Sequence, residues 1–365
     1  PRRKGQSILI IIGLMLSSTI VATSLGIGDT VRYSIRSVVL DSLGTVDERI
    51  SGPGKQLFGD EYFDYSEFLY VKEITQDFDK IDDLQPYIET KLPVSNDRSG
   101  LAESNMNIRG LELTNSNEKL LNIENEIVSV DDLDSNTVYV NSEASKDINI
   151  EAGDKLSIFT STGPTEYIVS DILKSEGVAG GETFPTVIFE LETLQKLLGK
   201  ENQITNIFVS NVGNGDNSID LSDEVTKFLR SELTNQDVAS EIFNTLQSND
   251  IPNLISEEAK EIQQTDNETY EDLIQLSTNL KNDEFNIDFI TGISSYTTQL
   301  LILGILEKSG LQKEAASILK LSSDLTRLRV EETKSDGVRL AENVSSGITS
   351  IFTIFGSFSI MVGML

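Results

Sequence analysis

Residues 137–159 read TVYVNSEASKDINIEAGDKLSIF, and this stretch decides the fold class that we predict for the chain. The pattern predicts a strand at 138–140, a short helix entered through Asn141 or Ser142, a turn at Gly153-Asp154 and a strand at 156–159. A strand at 167–173 is expected to pair with the last of these as a hairpin. Short strands and helices in this order are typical of an α+β domain.

The regions on both sides of this stretch supply further predicted strands and helices. The predicted strands are 47–51, 63–73, 107–113, 186–189 and 204–209, and the predicted helices are 76–91 and 191–198. Because a helix lies between the last two of these strands, we predict a βαβ unit there. We therefore expect an α+β core domain over residues 49–235.

The region that follows the core has the apolar spacing of helices. Residues 236–310 are predicted to be mostly helical, with breaks at 249–252 and 282–286, and to form a helical insertion. Residues 311–346 keep the same spacing, with an irregularity at Gly337, and are predicted to form one long stalk helix.

Two uncharged apolar runs lie near the two ends of the chain, at 7–28 and 347–365. At about 1.5 Å per residue, the first run can cross a bilayer core of about 30 Å. Basic residues precede it and an acidic residue follows it, which predicts a cytoplasmic flank at 1–6. Helical spacing then continues as a stalk helix over 29–48. The core is thus predicted to be extracytoplasmic, between two transmembrane helices with long stalks.

The first apolar run has a second interpretation, as a signal peptide that follows a twin-arginine pair at Arg2 and Arg3. Its length exceeds the usual signal-peptide core of about 7 to 15 residues, which favours a retained membrane anchor. Because the chain begins with Pro1 and ends inside an apolar run, we expect it to be a fragment of a longer membrane protein.

Small residues recur within both apolar runs at spacings that let membrane helices approach closely. The residues predicted to pack against another membrane helix are Gly13, Ser17, Ser24, Gly28, Gly356 and Gly363. Two short patterns elsewhere, at Asn267 and Asn343, fit the N-glycosylation motif.

The composition excludes several classes of function. The chain has a formal net charge of −30 at pH 7, and such an acidic surface repels nucleic acid. It contains neither Cys nor His, which removes Ser-His and Cys-His nucleophilic sites and the usual zinc ligands. We therefore predict that this chain has no catalytic, cofactor or metal site, and that it is not an enzyme.

Several stretches, taken in their order along the chain, resemble the FtsX-like or MacB-type permease subunits of ABC transporters, with their periplasmic core domain. They are RRKGQSILIIIGLMLSSTIVATSLGIG at 2–28, NIRGLEL at 107–113, residues 137–159 followed by VSDIL at 169–173, TVIFELETLQKLLG at 186–199, NIFVS at 206–210 and GSFSIMVGML at 356–365. The resemblance covers most of residues 1–230 and the last twenty.

This resemblance implies a four-helix membrane domain in the plasma membrane, with a large extracytoplasmic domain between its first and second helices. It also implies three partners: a cytoplasmic ABC ATPase that holds ATP and Mg, a second permease copy or a paralogue, and membrane lipid. The chain departs from the pattern because helices three and four lie beyond residue 365 or are missing, and because residues 236–335 form a longer helical insertion.

On this basis the chain is predicted to couple ATP hydrolysis by a partner to movement of its outer domain, in export, lipoprotein or lipid handling, or mechanotransmission. Two other classes share the predicted layout. A double-pass membrane sensor would carry a basic, heptad-patterned segment after residue 365, whereas a permease would carry two more apolar runs. A surface adhesion or scaffold protein would have no ATPase partner.

Overall fold

A computed structural model of the protein describes residues 11, 15, 19, 23, 30–52, 62–113, 119–180, 184–213, 215–263, 267–292 and 296–364. Within these ranges, no helix combines the length and the apolar character that crossing a bilayer requires. The predicted flank at 1–6 and the predicted packing residues Gly13, Ser17, Ser24 and Gly28 lie outside the described residues.

The chain forms short strands and helices in the following order. The strands are β1 (Glu48–Ser51), β2 (Phe63–Asp64), β3 (Ile81–Asn96), β4 (Ala102–Leu111), β5 (Leu120–Leu121), β6 (Ile127–Val128), β7 (Thr137–Asn141), β8 (Lys155–Thr160), β9 (Gly163–Leu173), β10 (Thr186–Glu190), β11 (Gln203–Ile204), β12 (Asn206–Asn211) and β13 (Arg329–Glu332). The helices are α1 (30–43), α2 (Tyr65–Ile74), α3 (Ser142–Ile148), α4 (Leu191–Leu198), α5 (Asp216–Ile219), α6 (Ser222–Leu233), α7 (Gln236–Gln247), α8 (Ile251–Ile262), α9 (Asn267–Asn282), α10 (Ile287–Gly292), α11 (Tyr296–Lys308), α12 (Gln312–Leu325) and α13 (Thr333–Met364).

Nine of these strands form one sheet, in the order β13-β1-β12-β3-β4-β10-β7-β9-β8. The β4–β10 and β7–β9 pairs are parallel and the other neighbours are antiparallel. The last residues of β3, a strand in the middle of the sheet, also pair with the edge strand β8. The predicted core is therefore confirmed as a mixed α and β domain.

The two faces of the sheet are covered differently. Helices α2, α3, α4 and α6 pack on one face and share its main apolar core. Gly110 shows why the NIRGLEL stretch needs a glycine, since a Cβ there would lie 2.9 Å from Cδ2 of Leu194 on α4. The opposite face carries a smaller core, in which the rings of Tyr87 and Phe208 stack with centroids 3.5 Å apart.

The stretch at 137–159 and its surroundings fold as predicted. Asn141 caps α3, because its side chain accepts a hydrogen bond from the backbone N–H of Ala144. Strands β8 and β9 form the predicted hairpin. Helix α4 has the predicted bounds of 191–198, and the strands on its two sides, β10 and β12, run parallel although β3 and β4 lie between them.

Two predictions before residue 100 are wrong. The predicted strand at 63–73 is mostly α2, because Asp64 caps the helix and Phe68 and Val71, three residues apart, both face the core. Residues 81–91 of the predicted helix at 76–91 instead form the beginning of β3, which pairs with β12 on one side and β4 on the other. Pairing with distant strands overrides the local helical spacing there.

The predicted stalk helix over 311–346 is wrong as a single element. Its first half is α12, whose Ala315 and Ile318 are buried in a separate apolar core that α7 to α11 also form. The chain then leaves the helix and forms β13, which pairs with β1 before α13 begins. The apolar spacing after 311 therefore belongs to the core face of α12, and the helical insertion extends to Leu325.

Candidate functional site at the junction of α1 and α13 with the sheet

Helices α1 and α13 meet the sheet at the same place. Gly44 ends α1 in the left-handed region, with a φ of 55°, and the chain enters β1 four residues later. Strand β13 leads directly into α13 at Thr333. Because β1 and β13 are antiparallel neighbours, with Glu48 opposite Glu332, both helices leave from the same end of the two strands.

The two helices pack closely against each other beyond the sheet. A Cβ on Gly337 of α13 would lie 2.8 Å from Cγ1 of Val39 on α1, so the helices approach at a position where only glycine fits without adjustment. Further from the sheet, Arg32 of α1 forms an ion pair with Glu342 of α13. Helix α13 passes through Gly337 without a break, so the irregularity predicted there is wrong, and Gly337 is instead a contact between the helices.

A buried charge pair lies at the junction itself. The Lys334 ammonium lies 2.7 Å from a carboxylate oxygen of Asp47, and the two side chains are 2% and 1% exposed. The Asp47 carboxylate also accepts hydrogen bonds from the backbone N–H of Asn211 and from the Ser218 hydroxyl, both at 2.8 Å. Its backbone carbonyl accepts from the N–H groups of Thr333 and Lys334, both at 3.0 Å.

Asp47 therefore connects four parts of the structure: the chain that leaves α1, strand β12, helix α5 and the first turn of α13. Removing one partner of a buried ion pair typically costs about 3 to 5 kcal/mol, because the other charge is left uncompensated. We refer to Asp47, Lys334 and their hydrogen-bond partners Asn211 and Ser218 as the junction cluster. It joins the two helices to the sheet as one unit.

Glu48 is a second carboxyl group beside the junction cluster, and it is fully buried. Its Oε1 accepts a hydrogen bond of 2.9 Å from the Asn211 side chain, and its Oε2 has no partner among the described residues. Burial raises the pKa of Glu48 to about 8, against the hydrogen bonds from Asn211 and Ser222, which lower it. Most Glu48 side chains are therefore protonated at neutral pH, beside the charged pair.

The predicted site residues that the structure describes do not belong to this junction. Gly356 and Gly363 lie in the last turns of α13, Asn343 is exposed on the same helix, and Asn267 is the first residue of α9. In the part of the chain that the structure describes, no group of three or more Asp and Glu side chains is arranged to hold a metal ion. The junction cluster was not predicted, because its members are far apart in sequence and form no motif.

Comparisons with known proteins give the following results. No family model matches the sequence, and no curated protein matches it. Among solved structures, the periplasmic region of MacB from Actinobacillus actinomycetemcomitans is similar, with a TM-score of 0.36 and 14% identity over 52% of this chain and 85% of that chain. The extracellular domain of the ABC-type transporter YknZ from Gram-positive bacteria has a TM-score of 0.33 and 12% identity, over 48% and 88% of the two chains. A MacB periplasmic region is thus among the structures to which this chain is similar.

Proposed function

We propose that this chain is a permease subunit of an ABC transporter and that it transmits mechanical work without a catalytic site of its own. A cytoplasmic partner ATPase would hydrolyse ATP, and α1 and α13 would carry the resulting movement to the outer domain. The observation that carries this proposal is the junction cluster, in which Asp47 binds α13, β12 and α5 at once.

The junction suits transmission because it leaves the two helices little freedom to move independently of the sheet. Two packed helices that are fixed at one end can convert a small shift at the other end into a displacement of the unit they hold. Strands β1 and β13, which follow and precede the helices, are also neighbours in the sheet, so a shift between the helices acts on adjacent strands.

The sequence supports a path for this coupling. The apolar run at 347–365 follows the Gly337 contact within the same chain segment, and α13 is one helix as far as Met364. The run at 7–28 directly precedes α1. In this proposal both runs are membrane helices, so α1 and α13 would connect a membrane domain with the sheet.

A disulfide between α1 and α13 tests the proposal directly. A Cβ on Gly337 would lie 3.8 Å from Cβ of Val39, which is close to the usual Cβ–Cβ distance of about 3.8 Å in disulfides. Residues 1–365 contain no cysteine, so within this part of one chain the variant Val39→Cys/Gly337→Cys can form only this bond. The full-length protein would be purified with its ATPase, reconstituted in liposomes, and assayed for ATP hydrolysis before and after reduction.

We expect oxidation to lower ATP hydrolysis several-fold and reduction to restore it, because the locked helices can no longer move relative to each other. The single variants Val39→Cys and Gly337→Cys are the controls and should not respond to oxidation. Unchanged hydrolysis at complete disulfide formation would contradict the proposal. The proposal would also be contradicted if the full-length protein copurified with no ATPase.

A further inference from the structure

A cavity of about 710 Å³ opens on the face of the sheet opposite α2, α3, α4 and α6. Its floor is formed by β1, β3, β4 and β12, and its wall includes Leu43 at the end of α1 and Phe184 before β10. This volume is within the range of about 300 to 1,000 Å³ that is usual for small-molecule sites. The junction cluster does not line it.

The charge of the cavity differs from that of the chain as a whole. Three cationic side chains line it, Arg49, Lys91 and Arg109, and Glu89 is the acidic residue among the lining side chains. Glu331 lies opposite Arg49 on β13 and adds a second carboxylate nearby. In a chain with a net charge of −30, an excess of cations around one cavity indicates an anionic ligand.

Arg109 is occupied by protein partners. Its Nε and Nη2 donate to Oε1 of Glu89 at 3.0 and 2.7 Å, and its Nη1 donates to the carbonyl oxygen of Val178 at 2.9 Å. Glu89 is therefore held mainly by Arg109, and Arg109 serves as a positioning residue.

Arg49 and Lys91 keep donors available. Arg49 forms an ion pair with Glu89, with Nη1 at 3.8 Å from Oε2 and beyond hydrogen-bond distance, and its guanidinium lies 5.9 Å from the centre of the Phe208 ring. Its buried Nε has no hydrogen-bond partner among the described residues. Lys91 is exposed and forms no ion pair with any residue that the structure describes. A guanidinium fork and an ammonium group together suit a carboxylate or a phosphate.

We propose that this cavity binds an organic anion. Arg49 and Lys91 would hold its carboxylate or phosphate group, and its apolar part would lie against Leu43 and against Phe184, whose side chain is 53% exposed. Because Leu43 is the last residue of α1, a bound ligand would touch the end of that helix. The binding proposal depends on the cavity alone and holds whether or not the chain is a permease.

Calorimetry on the purified full chain can test whether binding requires both a charged group and an apolar group on the ligand. The probes are hexyl phosphate, hexanoate, inorganic phosphate and hexanol. We expect at least one of the two hexyl anions to bind, and inorganic phosphate and hexanol each to bind at least about tenfold more weakly than it does, because each lacks one part of the ligand. Binding of neither hexyl anion, or equal binding of hexanol, would overturn the proposal.

Variants then locate the binding site. Arg49→Gln and Lys91→Gln should each lower the affinity for the hexyl anion by about tenfold or more, since each removes charge-assisted hydrogen bonds. Lys227→Gln, at an exposed lysine on α6 on the other face of the sheet, is the matched control and should bind like the parent chain. Because Lys91 is exposed, Lys91→Gln should fold, and it tests the site even if Arg49→Gln does not fold. Affinity that is unchanged in Lys91→Gln would overturn the assignment.

A competition arm distinguishes the source of the anion. Vesicles of phosphatidylglycerol, compared with vesicles of phosphatidylcholine, would be added before the hexyl anion. Displacement by phosphatidylglycerol alone would support the proposal with a lipid headgroup as the ligand. Binding that neither vesicle displaces would support it with a soluble anion as the ligand.

Discussion

Asp47 and Lys334 are two buried charges that neutralise each other, and each would be costly to bury alone. The hydrogen bonds from Asn211 and Ser218 remain if Lys334 is lost, but they do not supply a positive charge. The stability of the junction should therefore depend on both members of the pair together.

We expect Lys334→Met to lower the free energy of unfolding by about 3 to 5 kcal/mol, because it leaves the Asp47 carboxylate buried without a counter-charge. The double variant Asp47→Asn/Lys334→Met should lose less than the single variant does, since no charge then remains. Urea unfolding followed by circular dichroism measures the difference, with Lys227→Met as the surface control. If the double variant lost the sum of the free energies lost by Lys334→Met and by Asp47→Asn alone, the two residues would act independently.

Glu48 makes the stability of the domain depend on pH. Burial raises its pKa from 4.5 to about 8, so between these values the folded chain holds a proton that the unfolded chain has released. The free energy of unfolding should therefore fall as pH rises through this window, with a slope of at most about 1.4 kcal/mol per pH unit from this group. Below the window the contribution of Glu48 is fully present.

The variant Glu48→Gln isolates this effect. It keeps the shape of the side chain and cannot ionise, so the unfolding free energy should fall less steeply between about pH 5 and pH 8 than it does in the parent chain. Glu332 retains some slope, because burial and then the nearby carboxylates of Asp223 and Asp336 raise its pKa as well. Thermal unfolding across a pH series measures the slope, and parallel curves for the two proteins would contradict the role of Glu48.

Residue-scale predictions from the sequence succeeded where the signal was local. The sequence predicts a helix entered through Asn141 or Ser142, because a cap acts on the next three residues, and Asn141 is the cap in the structure. The junction cluster could not be identified in this way, since Asp47 and Lys334 are brought together only when β1 pairs with β13. The sequence around Lys334 also carries no signal that this lysine is buried.

At the scale of helices and strands, the contact between α1 and α13 depends on a residue without a side chain. Val39 fills the space above Gly337, whereas at Gly347, ten residues further along the same helix, no described atom outside the adjoining helix backbone lies within 4 Å of where a Cβ would be. Substitutions at Gly337 and Gly347 can therefore be compared, since the first position is tightly packed and the second has space for a side chain.

We expect Gly337→Leu to push α1 and α13 apart, because the new side chain overlaps Val39. Gly347→Leu should leave the helices in place, and Val39→Ala/Gly337→Leu should restore part of the original spacing. Spin labels on Arg32→Cys and Glu342→Cys would report the distance between the helices. These two side chains form an exposed ion pair, whose loss costs little. A distance that is the same in Gly337→Leu and Gly347→Leu would contradict the packing role.

The elements predicted correctly are those with strong local signals on both sides, such as the α4 segment between two apolar strands. Elements with mixed signals were wrong. The aromatic residues of α2 favour a strand locally, and its helical face is evident only from the burial of Phe68 and Val71. Strand β3 lies between β4 and β12, so its conformation is decided by partners that are distant in sequence.

At the scale of the whole molecule, the apolar cores of the described residues belong to two units. The sheet and its helices have one core on each face of the sheet, and α7 through α12 form a separate core. The sequence predicted this second unit as helical from its apolar period, but its end was placed at 310, because the spacing continues through α12 without a change. Whether α12 belonged to the insertion or to a stalk could be decided only from what its buried face contacts.

The two ends of the helical unit lie side by side where it leaves the sheet domain. The N–H of Asn235 donates to the carbonyl oxygen of Leu325 at 2.8 Å, and the N–H of Arg327 donates to that of Leu233 at 3.2 Å. A short linker can therefore replace the whole unit without moving α6 or β13. Helix α10 contacts α6, but the cores are separate, so neither unit should need the other to bury its apolar residues.

We therefore expect the full chain with residues 236–325 replaced by a short Gly-Ser linker to fold with an intact sheet and junction. The Val39→Cys/Gly337→Cys pair reports on the junction, since its disulfide should form as readily in the shortened chain as in the parent. Replacing 222–325 in the same way is the matched control, because it also removes α6, whose Val225 and Leu229 lie in the sheet core, and it should unfold. If the first deletion also prevented disulfide formation, the helical unit would be part of the support of the junction, and the two cores would act as one domain.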